Sequence, residues 1–463
     1  MREVPAGCCR GTCSRSGAPL HRRGWFLLFA ALATAACLAA AAAPSLADIV
    51  DPTAEPNHQV VIDSEGVDYA EDIVIVDGYV YVCGQVETGA TDADASLLRM
   101  PVGGGATVPW TSAIAGRDHA GAMAVAPGGA AIYTCGTREG AADADILVIK
   151  WSKSGRVIWK RTYDPTPAGH DAGADIVVDR EGNVTVFALA AAGLRDDWVV
   201  ASWTAAGTRR WVRPLTESIK EESASEMVVD RGGNVYVTGY AERAGKSSML
   251  TAKLSPAGRV LWKRWYLGEA GISSAGHALA LRPGGGVFVA GLVANLAGGY
   301  DAVCVAYRSD GSRAVADPVA AGEATVSLED LAVLKSGTIV GVGWSALHGP
   351  TNPFLCLWHT DGHVEVPATM ATPFSDAYVA VAADTFGGYC YAGTSAGAAD
   401  AASVDVIRDS EDGAFWRWMW SGPTPSSLTR SKAVAAKGGV VAVCGDCISA
   451  ATGRDQFVMV WRY

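Results

Sequence analysis

Between residue 58 and the C-terminus, apolar positions either alternate over short runs or fill them outright. No stretch there keeps the 3.6-residue spacing of a helix. Glycine and proline interrupt the runs along the whole length, so the pattern predicts many short β-strands rather than separate modules. The runs also repeat. Val80-Tyr-Val-Cys-Gly84, Ile132-Tyr-Thr-Cys-Gly136, Val235-Tyr-Val-Thr-Gly239 and Val287-Phe-Val-Ala-Gly291 are versions of one strand. Ile339-Val-Gly-Val-Gly343, Tyr389-Cys-Tyr-Ala-Gly393 and Val441-Ala-Val-Cys-Gly445 continue the series, and Val184-Thr-Val-Phe-Ala188 fills the third place. The last residues of these anchor strands are 52, 52, 51, 52, 52, 50 and 52 positions apart.

Each interval reads alike. A strand such as Ile176-Val-Val-Asp179 leads through Arg180-Glu-Gly-Asn183 into the anchor strand, with glycine supplying the positive φ of a tight hairpin. A third strand follows, as in Ile146 to Trp151. A turn such as Ser255-Pro-Ala-Gly258 then opens a fourth, as in Val260 to Tyr266. The anchor strands are apolar on both alternating faces, as strands buried between two sheets must be. Four strands per interval of this length predict an all-β fold, an eight-bladed β-propeller with four antiparallel strands per blade. The last interval stops at Tyr463 without a fourth strand, and Gln59-Val-Val-Ile62 precedes the first interval. That segment is expected to complete the last blade and close the ring, leaving no open sheet edge.

The first 47 residues differ in kind. Arg22 and Arg23 precede an apolar run from Trp25 to about Ala43, followed by Pro44-Ser45-Leu46-Ala47, which predicts an export signal over 1–47 and a single propeller domain over 48–463. The run is also long enough for an uncleaved anchor, and Cys37 stands in a poor lipidation context. Net charge is −11. The leader holds five Arg and one Glu (+4), so the remainder carries about −15, from −11 less +4. An acidic exported chain argues against a nucleic-acid partner. Seven cysteines follow the leader, an odd number that cannot form a complete disulfide framework. Cys83, Cys135 and Cys444 hold equivalent anchor places and read as core residues. Cys444-Gly-Asp-Cys447 is expected to be a local disulfide or two thiols.

Asp179-Arg-Glu-Gly-Asn-Val, Gly233-Asn-Val-Tyr-Val-Thr-Gly239 and Ser255-Pro-Ala-Gly-Arg-Val-Leu-Trp262 resemble the bacterial SBBP-type β-propeller repeat and, more loosely, the delta-60 repeat. The resemblance spans nearly all of the chain after the leader, most sharply in units two to four. It implies an exported bacterial propeller and carries no activity. Tryptophans in the fourth strands (Trp110, Trp159, Trp211, Trp262, Trp418) also resemble the docking motif of eight-bladed quinoprotein dehydrogenases. Those enzymes additionally use a vicinal cysteine pair, and Cys8-Cys9 lies in the leader. The tryptophans are expected to staple blade to blade. Gly393-Thr-Ser395-Ala-Gly397 matches a hydrolase elbow by letters but lacks the following helix. Aspartates opening third strands (Asp94, Asp145, Asp197, Asp301, Asp455) are expected to bond their own loops rather than form a metal ring.

Charge divides by face. One rim is predicted to gather Asp63, Glu65, Asp68, Asp118, His119, Asp164, His170, Asp171, Glu217, Glu221, Glu222, Glu269, His277, Glu329, Asp330 and Asp376. The other gathers Arg156, Arg180, Arg209, Arg231, Arg259, Arg282, Arg308, Lys335 and Lys437 among others. The acidic rim supplies the candidate ligand-binding residues: Asp68, Asp118, His119, His170, Asp171, Glu222, His277, Asp330 and Asp376. There Asp118-His119 and His170-Asp171 would meet a cation or a cationic or hydroxyl-rich ligand. No catalytic set, metal site or cofactor is expected. The pattern points to a monomeric extracytoplasmic module that binds or scaffolds a protein, peptide or glycan, touching a membrane only through an uncleaved or lipidated N-terminus. The alternatives are a propeller-type enzyme (glycan hydrolase or lyase, or quinone-dependent dehydrogenase) and a surface-anchored structural protein.

Overall fold

A computed structural model describes residues 56–463 except 63–66, 90–91, 106, 115, 141–142, 168, 193–194, 216–221, 320–323, 347–348, 368–374, 397–401, 411–415, 421–427 and 450–452. The expected leader, and with it Asp63, Glu65, Glu217 and Glu221, lies outside the described residues. Within them the chain is almost entirely β, with one short 3-10 turn at Pro127–Gly129.

Each repeat runs as an antiparallel meander. In the fourth, Glu222–Val229 pairs with Val235–Arg243, which pairs with Lys246–Leu254, which pairs with Val260–Tyr266. The hairpin between first and second strands is braced by aspartate where the sequence reads Asp-x-x-Gly-Asn. Asp179 accepts from the amides of Glu181 and Asn183 (2.9 and 2.8 Å), and Asp230 from those of Gly232 and Asn234 (2.8 and 2.9 Å). A short polar side chain thereby stands in for strand partners across the turn.

The first strands are Tyr69–Val76, Arg117–Val125, His170–Val178, Glu222–Val229, Ser274–Leu281, Thr325–Val333, Asp376–Ala383 and Leu428–Ala436. Each packs on the next in chain order, and the last packs on the first. His58–Ile62 pairs antiparallel with the final strand, Gln59 opposite Met459 and Val61 opposite Phe457.

All of these first strands carry a bulge at one place, between Ala70 and Asp72 in the first repeat and Leu328 and Asp330 in the sixth. The bulge explains the anchor glycine. A Cβ on Gly84, Gly136, Gly239, Gly291, Gly343, Gly393 or Gly445 would collide with a backbone carbonyl just before the bulge, such as that of Tyr69 or Ser223. Backbone approaches backbone there too closely for a side chain.

The apolar core lies between repeats rather than within them. One cluster joins the second repeat to the third through Tyr133, Val148, Val186 and Trp203; another joins the last to the first through Val82, Leu98, Cys444 and Val458. Cys83, Cys135, Cys356, Cys390 and Cys444 are buried thiols outside any disulfide, so the Cys444–Cys447 spacing is not a local bridge.

At the outer edge the fourth-strand tryptophans do join repeat to repeat. The indole N–H groups of Trp159, Trp211 and Trp262 donate to the carbonyls of Ala205, Pro256 and Ser309 in the following repeat (3.1, 2.9 and 3.1 Å). Each ring lies over the turn glycine two residues later, Gly207, Gly258 or Gly311, and Trp110 covers Gly155 likewise. Arg161, Arg213 and Arg264, two residues after their tryptophans, donate to the carbonyls of those glycines (2.7, 2.8 and 2.6 Å). At the junction made by the N-terminal strand, His58 covers Gly104 instead.

Candidate functional site

The bulges decide what faces the space shared by the first strands. In a regular strand, alternate residues point to alternate faces. The extra residue resets that alternation and turns the following side chain inward. In four repeats that side chain is an acid: Asp72, Asp175, Glu226 and Asp330. Asp72 accepts from its neighbour Ile73 (2.7 Å) and from Met123 of the next repeat (2.8 Å). Asp175 takes Ile176 (2.7 Å) and Met227 (2.6 Å), and Asp330 takes Leu331 (2.7 Å) and Val381 (2.8 Å). Glu226 reaches across to the Leu279 amide. Seven equivalent first-strand amides are thus held by four carboxylates, each of which links two repeats.

These carboxylates also feel one another. Burial pushes Asp72 up to about 6 and Asp175 and Asp330 up to about 7, against the pull of their amide donors, and the charge of Asp72 adds to the rise in the latter two. Burial and the charges of Asp330 and Asp175 move Glu226 well above its ordinary value. All four keep part of their surface open, so water reaches the space they line and tempers the cost of ionisation.

Beside this ring two polar clusters remain half-exposed. In one, Lys432 meets Glu71 at 3.1 Å and His119 meets Glu71 at 3.6 Å. Burial opposes ionisation of Glu71, but His119 and Lys432 outweigh it and hold its carboxyl below the ordinary value. In the other, His277 Nδ1 lies 2.9 Å from the Leu328 carbonyl and 3.2 Å from Ser327 Oγ. Glu329 Oε1 there accepts from Ser327 Oγ (2.7 Å) and from the Trp344 indole (2.9 Å).

A serine, a histidine and an acid therefore meet, yet not as a nucleophile set. The Leu328 carbonyl can only accept, so His277 Nδ1 carries the proton and cannot take one from Ser327. Ser327 is 1% exposed and donates to Glu329. A nucleophile needs an open face and a base aligned on its proton.

The other candidates from the sequence are placed differently. Asp68, Asp118, Asp171, Glu222 and Asp376 are buried rather than exposed on a rim. They occupy one equivalent place, three residues before each bulge, and pin strands. Asp68 accepts from the Glu87 amide (3.1 Å), Asp171 from that of Ala191 (3.1 Å), and Glu222 from that of Trp198 in the preceding repeat (3.1 Å). Asp118 and Asp376 accept from Ser112 and Ser395 (3.2 and 2.7 Å). Burial pushes Asp118 and Asp171 up to about 6. His170 is exposed at the edge of its strand. Of the nine candidates, only His119, His277 and Asp330 reach the shared inner space.

The third-strand aspartates behave unevenly. Asp94 bonds Ser112 and the Ile114 amide (2.9 and 3.1 Å), and Asp301 holds Asn295 (2.7 Å). Asp145 instead comes within 4.8 Å of Asp143 and Asp164, and burial together with those charges raises its pKa.

Glu71, Asp72, Asp175, Glu226, Ser327 and Lys432 escaped the reading of the sequence, and Glu329 was placed on the acidic rim but not among the candidates. The signal was an acid set directly before the apolar half of a first strand: Asp72-Ile-Val, Asp175-Ile-Val, Glu226-Met-Val and Asp330-Leu-Ala.

No family model and no curated protein matches the chain. Solved structures do match. Sqt1 from Chaetomium thermophilum superposes with a TM-score of 0.56 at 11% identity, over 88% of this chain and 98% of that one. The same protein bound to the N-terminus of ribosomal protein L10 gives 0.55 at 12%, over 88% and 100%. The polysaccharide lyase Uly1 gives 0.50 at 11%, over 88% and 99%. At such identities the likeness carries the fold alone, a β-propeller.

Proposed function

We propose that this chain is an exported, eight-bladed propeller of the SBBP-repeat type, closed by its N-terminal strand, which binds a peptide or protein segment over the inner mouth. The cycle of first-strand contacts, running from Tyr69–Val76 round to Leu428–Ala436 and back, supports the ring. The pairing of His58–Ile62 with the last strand supports its closure.

The observation that carries the binding reading is the fate of the acids. The inner carboxylates hold strand amides, and Ser327, His277 and Glu329 are mutually engaged, so none of these groups is free for acid–base or nucleophilic work. What is left half-open is Lys432 with Glu71 and His119, and Trp344 with Glu329 and His277, a mixed-charge surface with one indole. Such a surface suits a partner carrying both hydrogen-bonding groups and charge. Fold likeness extends both to a protein seen with a peptide of ribosomal protein L10 and to a polysaccharide lyase, and so does not choose between binding and catalysis.

Selection of peptides on the purified protein, followed by calorimetry on the wild type and a Lys432→Ala/Glu329→Ala double variant, tests the reading. Selected peptides should lose about tenfold or more in affinity at the variant. Equal affinity, or saturable turnover of a polysaccharide by the wild type, overturns it.

A further inference from the structure

Four consecutive junctions between repeats are filled by an indole, and the next is not. Trp262 of the fourth repeat stands between Tyr236 of its own repeat and Tyr307 of the following one, with ring centroids 5.8 Å from each. It covers Gly311 and gives its N–H to the Ser309 carbonyl. At the junction of the fifth and sixth repeats every wall of this box is present. Phe288 stands in the place of Tyr236, Trp358 in that of Tyr307, Gly362 in that of Gly311, and Thr360 in that of Ser309. The occupant is missing, because Val315 replaces the tryptophan.

The consequence is a cavity of about 390 Å³ lined by Phe288, Val315, Trp358, Thr360 and Gly362. Gly155, Gly207, Gly258 and Gly311 all meet a tryptophan ring, whereas nothing lies within 4 Å of a Cβ placed on Gly362. Val315 is 45% exposed. The second donor is gone as well. Lys253 reaches the Ser309 carbonyl at 3.1 Å and Lys150 the Ala205 carbonyl at 2.7 Å, but the equivalent residue here is Ala306, another part of the lining. Neither Val315 nor Ala306 can donate to the Thr360 carbonyl. Trp358 is 5% exposed, and its indole nitrogen has no hydrogen-bond partner among the described residues.

We infer that this junction is a binding site for an indole ring supplied from outside the chain, seated between Phe288 and Trp358 with its N–H on the Thr360 carbonyl. The protein itself specifies the ligand: equivalent aromatic walls hold a tryptophan side chain at the preceding junction. Offset and edge-on aromatic contacts hold the flat faces, and the carbonyl selects a donor over an isosteric ring without one. The inference stands apart from the inner mouth and does not depend on a ligand there.

Calorimetric titration of the full-length protein with indole should give saturable binding with one site per chain. N-methylindole has the same rings and no donor, and should bind about tenfold more weakly to the wild type. Val315→Trp, which supplies the missing ring, should abolish binding. Absence of saturable indole binding overturns the inference, as does equal affinity for N-methylindole or unchanged binding by a folded Val315→Trp. The wild-type comparison stands even if that variant does not fold. Titration with a short tryptophan-containing peptide distinguishes the sources: tighter binding than free indole points to a partner's side chain, weaker binding to a small aromatic molecule.

Discussion

Two neighbouring junctions between repeats are built on one plan and held very differently. Between the fourth and fifth repeats, Trp262, Arg264 and Lys253 reach across at the outer edge, and Glu226 takes the Leu279 amide at the inner end. Between the fifth and sixth, the corresponding residues are Val315, Asp317, Ala306 and Ala278. There the seam is spanned by the apolar cluster containing Ala290, Cys304, Leu328 and Cys356, by the Tyr300–Thr325 bridge, and by His277 at the Leu328 carbonyl and Ser327 Oγ. Burial with a few short inner contacts is therefore enough to join two repeats. The polar and aromatic clamps are additions that individual junctions keep or lose, and a junction that loses them gains a cavity without parting its two repeats.

Truncation tests this contrast most strongly. Trp262→Ala removes a ring packed between two tyrosines and an N–H bond, and should cost about 3–5 kcal/mol. Val315→Ala at the equivalent place removes half-exposed methyls and should cost under about 1 kcal/mol. Denaturant midpoints of the two variants check the difference. Similar losses would mean that the staples are decoration and that the seams are equivalent.

The turn glycines extend the comparison to the filled junction between the third and fourth repeats, by a smaller margin. Gly258 has φ +75°, and a Cβ there would sit 2.5 Å from the Trp211 ring, whereas Gly362 has φ +89° and open space. Gly258→Ala combines backbone strain with displacement of an indole and should cost about 3 kcal/mol. Gly362→Ala carries the strain alone, about 1 kcal/mol. Thermal unfolding separates them, and equal shifts would deny that Gly362 faces a vacancy.

Much of this architecture was legible. The spacing of Gly84, Gly136 and their equivalents marked the repeat because a carbonyl beside the bulge excludes any side chain there, a constraint strict enough to leave a mark at fixed intervals. The tryptophans were legible as staples for the same reason, since each needs a glycine opposite. The inner site was not. A bulge of one residue is silent in an alternation of polar and apolar positions, so Asp72, Asp175 and Glu226 looked like ordinary strand residues. Asp68, Asp118, Asp171, Glu222 and Asp376 looked like rim acids, because a carboxylate that caps buried amides and one in a solvated loop share a composition. The vacancy at Val315 was written in the register of the fourth strands, but a missing residue draws less notice than a present one.

The inner ends of the junctions differ in a way that pH should reveal. Asp175 and Asp330 are pushed up to about 7, against an ordinary value near 4. Between those values the folded state keeps protons that the unfolded chain has released. The unfolded state then binds fewer protons, and stability falls as pH rises from about 4 to about 7, levelling off above. With water in the inner space, each such group should contribute on the order of 1–2 kcal/mol to that fall. Asp175→Asn removes the titration but offers an amide nitrogen where Met227 needs an acceptor. The variant should accordingly be less stable than the wild type at pH 5 while losing less stability between pH 5 and pH 7. Ala278→Asn, at the junction without a carboxylate, should leave the slope as it was. Unfolding curves that stay parallel for Asp175→Asn and wild type across that window would place the carboxylate outside the linkage, ionised throughout and held by its amides. The difference between clamped and unclamped junctions would then be one of geometry alone.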